Sequence, residues 1–198
     1  MLDDRLRLLL GQLDGAWELL QQRLAGLTDE EYFWESVPGC WSLRRRGQAH
    51  GVEQTGSGEW LLDRQSPPPD PPPFTTIAWR MCHLAMSPMM RYDWTFGSHS
   101  LGLGETDWLG SADEAIAFLT EVHTRWRSAL DGVTPDEMDQ VGRSQFPHGL
   151  DPTVRFDDLL AWTNLEFIHH AAEIACLRDL YRSRSLSTNT CLTGHQRN

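Results

Sequence analysis

The sequence contains no lysine: all 17 of its basic residues are arginine. Against 28 acidic residues this leaves a formal net charge of −11. An acidic surface repels phosphate backbones, so nucleic acid is not an expected partner. The basic cluster Arg44-Arg45-Arg46 is too short for such a patch and reads as a solvated loop or helix end. Long apolar runs are missing as well. None approaches the roughly 18 residues of a membrane span. The N-terminal MLDDRLRLLL is charged inside its apolar stretch and offers no small-residue cleavage site, which argues against a signal peptide. A cytoplasmic protein with no membrane partner is expected. Cysteine is sparse: Cys40, Cys82, Cys176 and Cys191 are scattered and form no C-x-x-C, against a zinc ribbon or redox motif. Cys82 and Cys176 read as small buried hydrophobes.

What is present is helical periodicity. Residues 3–26 repeat Leu6, Leu9, Leu10, Leu13, Trp17, Leu20 and Leu24 at the spacing of an amphipathic helix. Thr28-Asp-Glu-Glu31 fits a capping box opening a short helix that Pro38-Gly39 ends. Residues 40–73 read as irregular and close on SPPPDPPP, an extended spacer that cannot be helical. A second long helix begins near Thr75 or Thr76, with Pro88 expected to kink or interrupt it. A third runs from the Ser111 capping box to about Leu130, and Thr134 caps one further short turn. The last spans Phe156 to about Arg184. No segment alternates with period two over a strand length. The expectation is an all-α four-helix bundle in one domain over residues 1–185, followed by a polar, frayed tail at 186–198.

The final helix carries EFIHHAAEI, residues 166–174, with two interleaved acid/imidazole pairs four residues apart. Residues at that spacing share a helix face. On a wheel of ~100° per residue, the apolar stripe centres on Glu166, with His170 about 40° away, Glu173 about 20° and His169 about 60°. Asp157, Asn164, Arg178, Asp179 and Arg182 fall roughly opposite. Glu166 and His170 are therefore expected to point inward. A buried carboxylate costs several kcal/mol unless a cation compensates it, and Glu173 on the same face aggravates the problem. Either a divalent ion or Arg80 on the second helix would answer it. His83, in WRMCHLA, lies on an apolar stripe with Trp79, Met86, Met90 and Trp94 and supplies a third imidazole or carboxylate donor. Glu166-Phe-Ile-His169 is an E-x-x-H, but a di-iron site needs two such motifs, and a second is absent.

A histidine after TIAWR on the second helix, NLEFIHHAAEIACLRDLY on the last, and WSLRRRG together resemble the DinB-like superfamily. That group includes YfiT-type metal-dependent hydrolases and mycothiol-dependent maleylpyruvate isomerases. The resemblance covers the chain from the first helix to about Arg184. Many members carry three histidines, the last two as H-x-x-x-H; here Glu166 stands at the first of those two positions. A His/Glu/His set is similar to that of the isomerase branch, which binds zinc, and motif position gives His83, Glu166 and His170 as the ligands. The resemblance further implies an up-and-down bundle with a long first crossover, and often a homodimer.

Two imidazoles and a carboxylate leave an open position on a tetrahedral ion, as in catalytic zinc sites. Nickel, iron or manganese also accept such mixed ligation. An open zinc lowers the pKa of bound water or binds a thiol as thiolate. Glu173 is the candidate orienting group or base, with an arginine salt bridge as its other reading, and His169 a flanking residue. The leading expectation is a metal-dependent enzyme acting on a small molecule with a low-molecular-weight thiol such as mycothiol, by S-transfer or isomerisation. Hydrolysis of a small amide or ester is the second. A non-catalytic, stress-associated bundle with a structural or vestigial metal site is the third. Metal-free nucleophilic catalysis is disfavoured: there is no G-x-S-x-G elbow.

Overall fold

A computed structural model describes residues 3–48, 51–145 and 152–193, with side chains as far as residue 184. Four long helices build the core: α1 (Asp4–Leu24), α3 (Ile77–Phe96), α4 (Ala112–Leu130) and α6 (Phe156–Thr193). Two single-turn helices, α2 (Asp29–Tyr32) and α5 (Pro135–Met138), prepare the entries to the segments that follow them. The caps form where the sequence places them. Thr28, Ser111 and Thr134 each accept a hydrogen bond from a backbone N–H three residues on. At Thr134 the Glu137 carboxylate returns the bond to the cap N–H at 2.8 Å, closing the box. Each such cap is worth about 1 kcal/mol.

α6 packs on α1 and on α3, and α3 packs on α4. The fourth edge is closed by Trp17 stacked on His123 and by Asp14 paired with Arg127 at 2.7 Å, joining α1 to α4. Helix directions follow from these pairs. Arg5 meets Asp157 and Arg23 meets Asp179, so α1 and α6 run the same way. Tyr92 lies against Arg125 while Cys82 lies near Ala115, so α3 and α4 also run together, opposite to the first pair. Segment 97–111 must therefore return along the bundle, a second long connection beside the expected first crossover. Leu6, Leu10, Leu13, Leu20 and Leu24 of α1, with Ile77, Met81, Leu84, Leu119, Trp126, Phe156, Phe167 and Ile174, form one apolar core.

Several local expectations are corrected. The segment read as irregular carries a three-stranded antiparallel sheet, β1 (Leu43–Arg45), β2 (Gln54–Thr55) and β3 (Trp60–Asp63), with β3 in the middle. Its register pairs Leu43 with Leu62 and Gln54 with Asp63. The arginine cluster lies on and just after β1, not in a solvated loop or helix end. Arg44 pairs with Glu35 at 2.6 Å and with buried Asp63, and Arg46 bonds the carbonyls of Gly58 and Ser57. Pro88 does not interrupt α3, which is assigned as helix from Ile77 to Phe96. The segment expected to fray continues α6 to Thr193; residues 194–198 lie outside the described residues. Cys176 is exposed, whereas Cys40 and Cys82 are buried.

The helical wheel of α6 also needs turning. Asn164 and Arg178, assigned to the solvent face, are 3 % and 0 % exposed, while Trp162 and Leu180 are about half exposed. Asn164 donates to the Leu9 carbonyl and the Gln12 amide oxygen. Arg178 grips Glu31 through two bonds of 2.7 and 2.9 Å and donates to the carbonyls of Arg23 and Ala25. The buried stripe is thus centred near Phe167 and Ile174, leaving Glu166 on its rim.

Candidate metal centre

α6 carries Glu166, His169, His170 and Glu173 along one side, and α3 brings His83 to face them. One donor atom from each of His83, Glu166 and His170 lies within 4.8 Å of the other two. Glu166 Oε2 is 3.4 Å from His170 Nε2 and 3.9 Å from His83 Nε2. The two imidazoles meet edge to face, with ring centroids 4.5 Å apart. Three donors at such spacing can share one ion at ordinary zinc–ligand lengths of about 2 Å.

The chemistry of these donors fits a cation. Burial first, then His170, Arg80 and Arg64, pull the His83 pKa down to about 3, so this ring is neutral and keeps a lone pair. His170 Nδ1 stands 2.6 Å from Glu173 Oε2. A carboxylate only accepts, so Nδ1 is the donor in this pair, and Nε2, facing Glu166, is the nitrogen placed to meet an ion. Arg80 also approaches His170 Nδ1, at 3.1 Å, but cannot donate to a protonated nitrogen. Its favourable partner is Glu173, at 3.1 Å. Burial lowers the Arg80 pKa, opposed by Glu173 and Glu166. Glu173 is therefore engaged twice, orienting an imidazole and neutralising a guanidinium.

His83 is aimed by its neighbours. The Trp79 indole stacks on it at 5.1 Å and 11°, and donates its own N–H to the Asp63 carbonyl at 2.8 Å. The end of β3 thus fixes a ring that fixes a candidate ligand. This link was invisible in the sequence, because Asp63 and Trp79 act through a segment read as irregular. His169 points outward, its side chain 62 % exposed, stacked on His170 and 3.5 Å from Glu173. Glu166 is a rim residue with 30 % of its side chain exposed. The expectation of a carboxylate at the centre of the apolar stripe is corrected accordingly, since exposed Trp162 and Leu180 had drawn the computed centre toward it.

Beside the three donors opens a pocket of about 180 Å³. His83, Ser87 and Arg91 line one wall from α3; Trp162, Glu166 and Phe167 line the other from α6. Met86 also lines it, whereas Met90 is fully buried core. Ser87 and Arg91 were missed in the sequence, although their spacing of four and eight residues after His83 was the available signal. Among the described residues no helix is long and apolar enough to cross a membrane.

Comparison with known proteins adds one firm result. The sequence model of the DinB superfamily matches residues 12–174, a span that includes His83, Glu166 and His170. No curated protein and no solved structure matches the chain. With the family's model covering most of its length and a helical bundle holding a His/Glu/His cluster, this chain belongs to the DinB superfamily.

Proposed function

We propose that His83, Glu166 and His170 hold a divalent ion, zinc in the first instance, and that the protein is an enzyme using a low-molecular-weight thiol in S-transfer or isomerisation. The observation that carries the metal reading is the convergence of the three donors, with His170 Nδ1 held by Glu173 and Nε2 turned toward Glu166. Such an ion supplies a Lewis acid that lowers the pKa of a thiol or a water. Glu173 orients His170 and Trp79 orients His83.

Thiol chemistry is favoured over hydrolysis of an amide or ester by the state of Glu173. Water attack profits from a free general base beside the nucleophile. Glu173 is committed to Arg80 and His170. A thiol, with an ordinary pKa of about 8.5 against roughly 15.7 for water, is ionised beside such an ion without that help. The test is metal analysis of the purified protein, followed by titration of the zinc-loaded form with mycothiol and with a cobalt-substituted form read by its sulfur-to-metal absorption. A sulfur signal at submillimolar thiol is expected. Metal binding without any thiol signal at millimolar concentration overturns the transfer reading in favour of hydrolysis or a structural ion.

A further inference from the structure

A surface helix normally turns its polar residues away from the core. The outer face shared by α1 and α6 does not follow that pattern. Leu8 and Leu19 of α1 and Leu165 of α6 are 62 %, 65 % and 61 % exposed, and Ile168 joins them at 37 %. Along α1 the outward series runs Leu8, Gly11, Gly15, Leu19; along α6 it runs Ala161, Leu165, Ile168, Ala172. All eight are exposed, and each series steps by three or four residues, so each forms one uncharged seam.

The glycines add an independent observation. Glycine inside a helix is less favourable than alanine. A Cβ added at Gly11 or Gly15 would nevertheless meet nothing within 4 Å. Nothing inside the chain therefore calls for glycine at either position. What glycine provides there is room for a second backbone to come close.

The two seams are level with each other. Arg5 meets Asp157, Arg23 donates to the Ala175 carbonyl, and Leu19 and Ala172 line one groove. Leu8 thus stands level with Ala161, Gly11 with Leu165, Gly15 with Ile168, and Leu19 with Ala172. On α1 the large residues are at the ends and the small ones in the middle; on α6 the order is reversed. A two-fold axis parallel to the helices lays α1 of one copy on α6 of the other at the same height. A large side chain then meets a small one at all four levels, as close packing requires. An axis across the helices would instead lay α1 on α1, with Leu8 against Leu19 and glycine against glycine. That arrangement leaves a gap.

The face is wide enough for a stable contact. About twenty residues at 1.5 Å each, on two helices 8–10 Å apart, make a patch of about 30 Å by 20 Å. Two copies would bury about 1,200 Å² in total, the lower end of specific interfaces. We propose that this face joins two copies of the chain in a parallel, two-fold pair, with α1 of each on α6 of the other. The pairing does not depend on the metal reading.

The experiment is sedimentation equilibrium of the full-length protein, with zinc and with chelator. A species of twice the 22.6 kDa chain mass is expected at micromolar concentration in both. Gly15→Leu should weaken association about a hundredfold, because each copy brings the clash once. Its circular dichroism should remain that of the wild type, since the position is open within the chain. Adding Ile168→Ala to Gly15→Leu should restore the dimer. A wild type that stays monomeric at hundreds of micromolar, or a Gly15→Leu variant that associates as tightly as the wild type, overturns the proposal. Failure of Ile168→Ala to rescue overturns the arrangement of α1 on α6. A second measurement needs no change in packing volume at the centre. In a Cys176→Ser background, Leu19→Cys protein mixed with Ala172→Cys protein should form a mixed disulfide on oxidation, and its absence also overturns the arrangement.

Discussion

Glu173 accepts the Nδ1 proton of His170 across 2.6 Å, one turn away on the same helix, and in doing so turns the other ring nitrogen toward Glu166 and His83. Replacing Glu173 with glutamine keeps the size of the side chain but removes the charge that holds the ring and balances Arg80. Zinc affinity is expected to fall about 10–100-fold, the usual cost of losing a partner behind a ligand. His170→Ala should abolish measurable binding. Isothermal titration separates the two, and equal losses would show Glu173 to be a ligand rather than an orienting group.

Glu166→Gln should abolish zinc binding and change the stability of the metal-free protein little, within about 0.5 kcal/mol. The reason is its place at the rim, where solvent already screens the carboxylate. Urea unfolding in chelator checks this. A gain of several kcal/mol would mean that the charge is buried after all.

Zinc at one hundred times its dissociation constant should stabilise the folded chain by about 2.7 kcal/mol. The increment is expected to vanish in His83→Ala and on chelation. Thermal melts with and without metal measure it.

His123 is 4 % exposed and stacked face to face on Trp17. Burial chiefly, helped by Arg127 and opposed by Asp14, depresses its pKa from 6.5 to about 4. The native ring stays neutral while the unfolded chain takes up a proton, so stability present above pH 6.5 is lost as pH falls from about 6.5 to about 4, and no further below. His123→Phe keeps the aromatic contact and should remove about 3 kcal/mol of that acid sensitivity. Urea midpoints at pH 7 and pH 4 for both proteins test the difference.

Arg178 is fully buried and bidentate on Glu31, tying α6 to α2. Arg178→Met strands a buried carboxylate and should cost about 3–5 kcal/mol. Glu31→Gln in the same background should return part of that loss. A double-mutant cycle in urea measures the coupling, and strict additivity would dissolve the pair.

Much of this was legible in the chain. Three N-caps, four amphipathic helices and the donors His83, Glu166 and His170 all follow from spacing, because a helix converts residue number directly into direction. The sheet was not, since its strands are two to four residues long and find partners only across glycine-rich turns. Arg178 and Asn164 misled the wheel for a related reason. Their burial depends on acceptors from α1 and α2, and a helical wheel registers polarity without seeing partners. Exposed Trp162 and Leu180 biased it the other way.

One helix, α3, carries both His83 and Arg91 without a break. The two α3 residues that bound this wall of the pocket are thus held apart as by the jaws of a calliper, and loosening of loops elsewhere cannot change the gauge.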